Sequence, residues 1–462
     1  MLVADDQRFD TIAALGLTDA GCRGLHTPHM DALARDGVAF TSTHMPGGTC
    51  GAVCMPSRAM FLTSRTSFHL QGVGEGIPSE HTMLPEHFRA AGYETHGIGK
   101  WHNGRESFAR SFSSGDEIFF GGMTDHWNVN CYRFDPTGRY QGQLPIVEDY
   151  YRQNKVRMRD GDHVSSGVHS TDLFCDAAMR FLRGREGNEQ PFFLYTSFLA
   201  PHDPRTMPEQ YRVMYDPEQI ELPANFVTGQ IVDMGNMNGR DERLAAHPRD
   251  PAEIRRHLAE YFAMITHMDD AIGRIRACLE QTGQWENTIL VHMADHGLAL
   301  GQHGLMGKQN LYDHSVRIPL LMTGPGLPRN MRRDEWIYHM DVYPTLCELA
   351  GLSRPASVEG QSLCRTIRGE STGRDRLYFA FKDGIRAVKL GGGGRYKLIE
   401  YHINGRRDTQ VFDIEKDPLE MVNLSGDLEL VGRLRKELVK MRDEWEELHH
   451  EVGQRFWAGM EF

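Results

Sequence analysis

Four short strand-like runs in this chain, three apolar and one mixed, break off onto charged or imidazole side chains, and this constrains the fold more than any other feature. Leu2 to Ala4 ends at Asp5-Asp6, and Glu94 to Gly99 ends at Lys100-Trp101-His102. Phe192 to Phe198 is followed by Pro201-His202-Asp203, and Thr288 to Met293 by Asp295-His296-Gly297. Runs this short and apolar read as buried strands, and helical periodicity fills the intervals between them. Helices are predicted over Pro28–Asp36 (Thr27 as N-cap, Gly37 as stop), Pro85–Ala91, Ser170–Leu182, Pro251–Gln281 and Asp341–Ala350. The alternation predicts an α/β fold with a large, mostly parallel or mixed central sheet flanked by helices. Such sheets bind ligands beyond the carboxyl ends of their strands, where Asp5, Asp6, Lys100, His102, His202, Asp295 and His296 all fall.

The end of the chain has another character. Ser353 to Arg374 is rich in Pro, Ser, Gly and Arg and reads as a linker. Beyond it, Arg386–Leu390, Tyr396–Tyr401 and Gln410–Ile414 predict a small antiparallel sheet, closed by a helix over Leu428–His449. The expected division is therefore 1–355 for the main domain and 376–462 for a C-terminal subdomain with antiparallel sheet and helix. Ser107 to Asp162 reads as a loop-rich pocket wall, and Gly229 to Pro251 as a long loop.

A net charge of −12 with no basic block argues against nucleic-acid or anionic-membrane partners. No apolar run is long enough to span a bilayer. The eight cysteines lack CxxC or zinc spacing and are expected mostly in the core. Met1 enters the first strand with no signal peptide, and the N-terminus reads as clipped, so cytoplasm and periplasm both remain open.

The chemistry centres on Thr49 to Arg65, TCGAVCMPSRAMFLTSR. Pro56 suits the first turn of a helix, so Cys54 faces the positive end of a helix dipole. Arg58 adds a permanent cation whose fork of donors suits a sulfate or phosphate. Taken alone, Cys54 reads first as a small buried apolar residue. Asp5, Asp6 and Asp295 together would repel without a counter-ion, and a hard divalent cation with oxygen ligands resolves that repulsion; singly, each is an ordinary turn or cap residue. Lysines and histidines are singly ambiguous too. His303 and His339 are read as structural, and Arg65 as a brace for its helix.

The string C-x-P-S-R-x-x-x-L-T-x-R resembles the signature of the type I sulfatases, in the alkaline phosphatase superfamily, with Ser64 departing from the usual glycine. Lys397-Leu398 and VFDIEKDPLEMVNL (Val411 to Leu424) resemble that family's C-terminal subdomain. The resemblance implies a sulfuric ester hydrolase in which a maturation enzyme converts Cys54 to formylglycine, whose hydrate attacks sulfur. It implies Asp5, Asp6, Asp295, His296 and the modified Cys54 as ligands of Ca2+, with Mg2+ or Mn2+ as alternatives. It implies Lys100 and Lys308 on the sulfate, His102 as the base that releases sulfate, and His202 as the acid for the leaving alcohol. The substrate is then a small-molecule or oligosaccharide sulfate ester. A sulfated carbohydrate is favoured because Asp125, His126, Trp127, Tyr132 and Arg133 offer a polar, aromatic wall and Asp203 and Arg205, next to His202, are placed to reach the leaving group, although ordinary loop residues read the same way. A phosphonate monoester or phosphodiester hydrolase of the same superfamily is the alternative, and an inactive sulfatase-like binding protein lies outside both.

Overall fold

The computed structural model describes residues 1–17, 22–149, 151 and 155–460. Residues 150 and 152–154 of the expected pocket wall, and 461–462 of the C-terminal subdomain, lie outside the described residues. Nine strands form the main sheet, in the order Met331–Arg333, Val38–His44, Arg317–Thr323, Leu290–Ala294, Leu2–Ala4, Phe192–Ser197, Glu94–Lys100 and Ser114–Phe119; Ile337–Tyr338 also pairs with Val38–His44. The five strands from Leu290–Ala294 to Ser114–Phe119 are mutually parallel, and Arg317–Thr323 runs against both of its neighbours. The sheet is thus mixed around a parallel centre. Its central strands are largely apolar because both faces are covered: Leu2, Val3 and Ala4 are buried, as are Leu290 to Ala294.

Register brings the strand ends together. Ala4 stands opposite Ala294, so Asp5 and Asp295 emerge side by side, and the Asp295 amide donates to the Ala4 carbonyl at 3.1 Å. Ser197 stands opposite Gly99, which delivers Lys100 to the same edge. A one-residue slip in either pairing would turn these side chains to the opposite face. Gly99 permits the close approach: its φ is +81°, and a Cβ there would lie 2.0 Å from the Ser197 carbonyl oxygen.

The helices sit close to their expected limits. Pro251–Gln281 starts from Asp250, whose carboxylate accepts from the Ala252 amide. Thr27 does not cap Pro28–Asp36 with its side chain; its hydroxyl donates to Asp31 instead. The signature helix is Cys54–Thr63, so Cys54 is the first helical residue rather than the one before it.

Three stretches differ from expectation. The predicted wall from Ser107 to Asp162 contains the end of the helix Arg105–Ser111, the sheet strand Ser114–Phe119 and a hairpin, Gln143–Asp149 with Lys155–Asp160. The glycines and polar residues that suggested loops sit at turns and on an exposed ribbon. The expected linker is packed: it forms the helix Cys364–Ile367 and buries Val358, Leu363 and Ile367 in the main core. The C-terminal sheet has a further strand, Arg376–Phe381, and continues into Gly47–Gly48 from just before the signature. Gly47 has φ +97°, and a Cβ there would lie 1.9 Å from the Ala380 oxygen. The closing helix stops at Glu444, and a separate one follows at Glu451–Trp457. A second hydrophobic cluster joins this sheet to the main body, with Met45, Val53, Leu311 and Tyr312 against Phe379, Val411 and Leu434.

Candidate active site

The Cys54 sulfur lies at the carboxyl edge of the parallel strands. Lys308 Nζ is 3.5 Å from it and 2.7 Å from Asp6 Oδ1, and the imidazoles of His102 and His202 both hydrogen-bond the sulfur. Lys100 Nζ donates to Asp5 Oδ2 and, at 2.6 Å, to the Gly122 carbonyl. Burial alone would push the Cys54 thiol up, but Lys100, Lys308, His296 and the bond from His102 outweigh it and hold the thiol well below its usual range.

The two histidines are shifted in opposite directions. Burial lowers His102, and the Cys54 thiolate does not restore it. For His202, burial and Lys308 oppose the charged ring, yet Asp6 and Asp5 outweigh them and the pKa rises. His202 Nδ1 donates to the Asp203 carbonyl at 2.7 Å, while Nε2 points toward Asp6 at 3.8 Å.

Asp5, Asp6, Asp295 and His296 gather beside the sulfur. His296 Nδ1 is 3.1 Å from Asp6 Oδ1 and 3.0 Å from the Gly297 carbonyl. Burial disfavours the charged His296 ring, but Asp295 and Cys54 raise it to about 9. Asp295 itself is raised by burial and by neighbouring Asp5. One oxygen each of Asp5 and Asp6 is taken by a lysine, whereas Asp5 Oδ1, Asp6 Oδ2 and His296 Nε2 are buried without a hydrogen-bond partner. Ligand atoms of Asp5, Cys54, Asp295 and His296 lie within 4.8 Å of one another, as do those of Asp5, Asp6, Cys54 and His202. Unpartnered carboxylate oxygens this close together fit a hard divalent cation.

Arg58 faces inward. Fully buried, it donates from Nε to Asp295 Oδ2 at 3.0 Å, and from Nη1 to Ser197 Oγ at 2.6 Å and to the Lys100 carbonyl at 3.2 Å. Its fork braces carboxylate and strand ends through Nε and Nη1, while Nη2 is buried without a hydrogen-bond partner. Arg65 bonds Glu359 and the Ser357 carbonyl, tying the end of the signature helix to the distant 353–374 stretch, in keeping with a bracing role.

Ten sequence-derived residues therefore converge: Asp5, Asp6, Cys54, Arg58, Lys100, His102, His202, Asp295, His296 and Lys308; Arg65 lies past the other end of the helix Cys54–Thr63. Of the expected sugar wall, Asp125 and Arg133 are exposed and Trp127 is half-buried. Tyr132 is buried, and His126 lies beneath His202, donating from Nε2 to its carbonyl at 3.0 Å and accepting from Ser170 Oγ at 2.7 Å. Asp203 is held by Arg240, at 2.7 Å on one oxygen. His303 stacks on Tyr312 as a structural residue. His339 touches Ser57 Oγ at 3.0 Å, and that hydroxyl donates to the Asp295 carbonyl at 2.6 Å. Sequence reasoning missed Ser197, Arg240, Asp241 and Gln309, whose polarity within loops and strand ends carried no distinguishing signal, and it gave Ser57 and His126 other roles.

The family model described as Sulfatase matches residues 1–352, and that described as N-sulphoglucosamine sulphohydrolase, C-terminal, matches 301–444. The chain belongs to the sulfatase family. An arylsulfatase of Clostridium perfringens is 30% identical over 95% of this sulfatase chain and 93% of its own. An N-acetylglucosamine-6-O-sulfatase of Bacteroides thetaiotaomicron is 25% identical over 91% of this chain and 82% of its own. The phosphonate monoester hydrolase of Agrobacterium radiobacter superposes with a TM-score of 0.72 at 20% identity, covering 96% of this chain and 95% of that one, which shows a shared fold. Among the described residues, no helix is long and apolar enough to cross a membrane.

Proposed function

We propose that this chain hydrolyses sulfate esters at residue 54 once a maturation enzyme has converted Cys54 to formylglycine, with sulfated carbohydrate as the substrate class. The observation that carries the reading is geometric: Lys308 Nζ lies 3.5 Å from the sulfur of residue 54, and ligand atoms of Asp5, Asp6, His202, Asp295 and His296 crowd the same sulfur within 4.8 Å in two overlapping sets; the two imidazoles beside it are shifted in opposite directions. An acid and a base for one reaction are separated in this way by their environments. His202 keeps its proton and gives it from Nε2 to the departing alcohol oxygen. His102 is neutral and accepts a proton from the side chain at residue 54. Lys100 and Lys308 neutralise the charge that grows on the sulfate oxygens in the transition state. Arg58 holds Asp295 and the Lys100 carbonyl, so the lysine and carboxylates need not reorganise during the reaction.

The hydrated aldehyde at residue 54 would supply the attacking hydroxyl, a stronger design than a free thiol because sulfate can later leave without attack by water. Asp5, Asp6, Asp295, His296 and residue 54 would hold a divalent cation, for which Ca2+ fits the irregular oxygen donors; it would polarise a sulfate oxygen. Residues 1–355 supply these groups, and the subdomain at 376–462 would cap them.

The test is the mass of the tryptic peptide Asp36 to Arg58 from protein made in a host with the maturation enzyme, followed by turnover of sulfated sugars, aryl sulfates and phosphonate esters. Conversion of the CH2–SH group to CHO together with sulfate release is expected. Unconverted cysteine in a competent host, or phosphonate turnover exceeding sulfate turnover, would sink the reading.

A further inference from the structure

The long loop expected over 229–251 reaches back to the site through three consecutive residues, Arg240, Asp241 and Glu242. Glu242 is buried, and its carboxylate holds the turn that carries Lys308: Oε2 accepts from the Met306 amide at 3.0 Å and Oε1 from the Gly307 amide at 2.9 Å. Asp241 holds the residue after the lysine. Its Oδ2 accepts from Gln309 Nε2 at 2.7 Å, and Gln309 Oε1 in turn accepts from the Lys308 amide at 3.2 Å. Arg240 reaches to another loop and grips Asp203, with Nη1 at 2.7 Å from Oδ1 and Nη2 on Oδ2. Asp203 follows His202, and its carbonyl accepts from His202 Nδ1.

The three residues are themselves anchored. Arg249 is buried and pairs with the Glu242 carboxylate. It donates from Nη1 to the Glu242 and Ala245 carbonyls, each at 2.8 Å, and from Nε to the Gly304 carbonyl at 3.0 Å. One guanidinium thus closes the loop on itself and fastens it to the lysine's turn. The fit is tight: a Cβ at Gly307 would lie 2.9 Å from Asp241 Cβ and 3.1 Å from Glu242 Oε1. Replacing a buried ion pair by apolar residues of similar volume is often neutral or stabilising, so this pair points to what it holds rather than to stability alone. What it holds is the backbone under Lys308. A lysine carries its charge on a flexible four-carbon stem, so the place of that charge depends on how firmly the base of the stem is fixed.

We propose that Arg240, Asp241 and Glu242 are positioning residues that hold Lys308 and His202 in a fixed relation, so that one bound anion meets the cation and the acid together. The proposal rests on the sulfate-ester reading for the identity of that anion. Two measurements test it. In unconverted Cys50→Ser protein in EDTA, Cys54 is alkylated at a single pH with iodoacetate and with iodoacetamide. The thiolate fraction cancels in the ratio of the two rates, which therefore reads the positive charge at the sulfur. Glu242→Gln should lower that ratio about fivefold, the effect of moving one unit charge away from about 4 Å in water. Gly307→Ala should do the same while keeping every polar group and adding one methyl against the seat. Arg386→Met breaks a buried ion pair of the C-terminal sheet and should lower the melting temperature without moving the ratio. In converted enzyme, Arg240→Gln should lower kcat/KM about tenfold more for phenyl sulfate, whose leaving oxygen needs a proton, than for 4-nitrophenyl sulfate. A role in stability alone would lower both alike. An unchanged alkylation ratio in variants that still fold, or equal losses on the two esters, would overturn the proposal. A ratio that falls as expected, in protein that turns over no sulfate ester after conversion, would uphold the seat of Lys308 while refuting the reaction.

Discussion

Replacing Arg58 with methionine should destabilise the protein by a calculable amount. The guanidinium is at zero exposure, with Asp295 at 3.0 Å and Asp5 at 4.0 Å, and it serves Ser197 and the Lys100 carbonyl as well. Methionine fills much of the same volume but leaves a buried carboxylate uncompensated, which costs about 3–5 kcal/mol. With an unfolding entropy of about 2.1 cal/mol/K per residue, a chain of 462 residues loses about 3–5 °C of melting temperature. Melting followed by circular dichroism in excess EDTA, where no ion masks the orphaned charge, reads this directly. Adding Asp295→Asn to Arg58→Met should recover most of the loss, because the two residues form one interacting pair. As a control, Lys416→Met removes an exposed partner of Asp413 and should leave the melt unmoved, since solvent screens that pair. A loss below 1 °C for Arg58→Met, or losses that simply add in the double variant, would refute the bracing role.

Calcium should raise the melting temperature by about 3 °C at a hundredfold excess over its Kd, the equivalent of about 2.7 kcal/mol; Asp6→Asn should abolish most of that shift, and an equal shift in the variant would remove Asp6 from the ligand set. Acidification should unfold the chain steeply. Burial lowers His96 to about 4, His169 to about 3 and His303 to about 4. The unfolded chain thus takes up protons below about pH 6.5 that the native state refuses, and stability falls with falling pH by up to about 1.4 kcal/mol per unit for each histidine. Urea midpoints that stay flat from pH 7 to 5 would contradict this. Gly99→Ala forces a Cβ against the Ser197 carbonyl and should cost more than about 1 kcal/mol while displacing Lys100 and His102; wild-type stability and kcat/KM in that variant would show that the strand contact does not matter.

Much of the site was legible because its signals are local. Each strand ends within a residue or two of a charged or imidazole group, and helix periodicity places those ends on one edge of the sheet. The spacing of Cys54, Pro56, Ser57 and Arg58 is set by a single turn of helix, so sequence alone carries it. Strand type and helix limits were readable for the same reason, since propensity and periodicity act over one or two turns or a few strand residues.

What the sequence could not decide is which distant segments meet. Asp6 and Asp295 are 289 positions apart, and the register that joins them is chosen by packing across the whole sheet. Arg58 carries a donor fork in any context, and only the fold turned its Nε onto Asp295. Gly47-Gly48 reads as a loop until Arg376–Phe381 arrives to pair with it. Arg240, Asp241 and Glu242 are ordinary loop residues one at a time. They join His202 to Lys308 only because their loop folds onto Asp203 and onto the turn at 306–309, through contacts between residues far apart in the chain. Short-range preferences determined the parts and their chemistry, while long-range burial and register decided their neighbours.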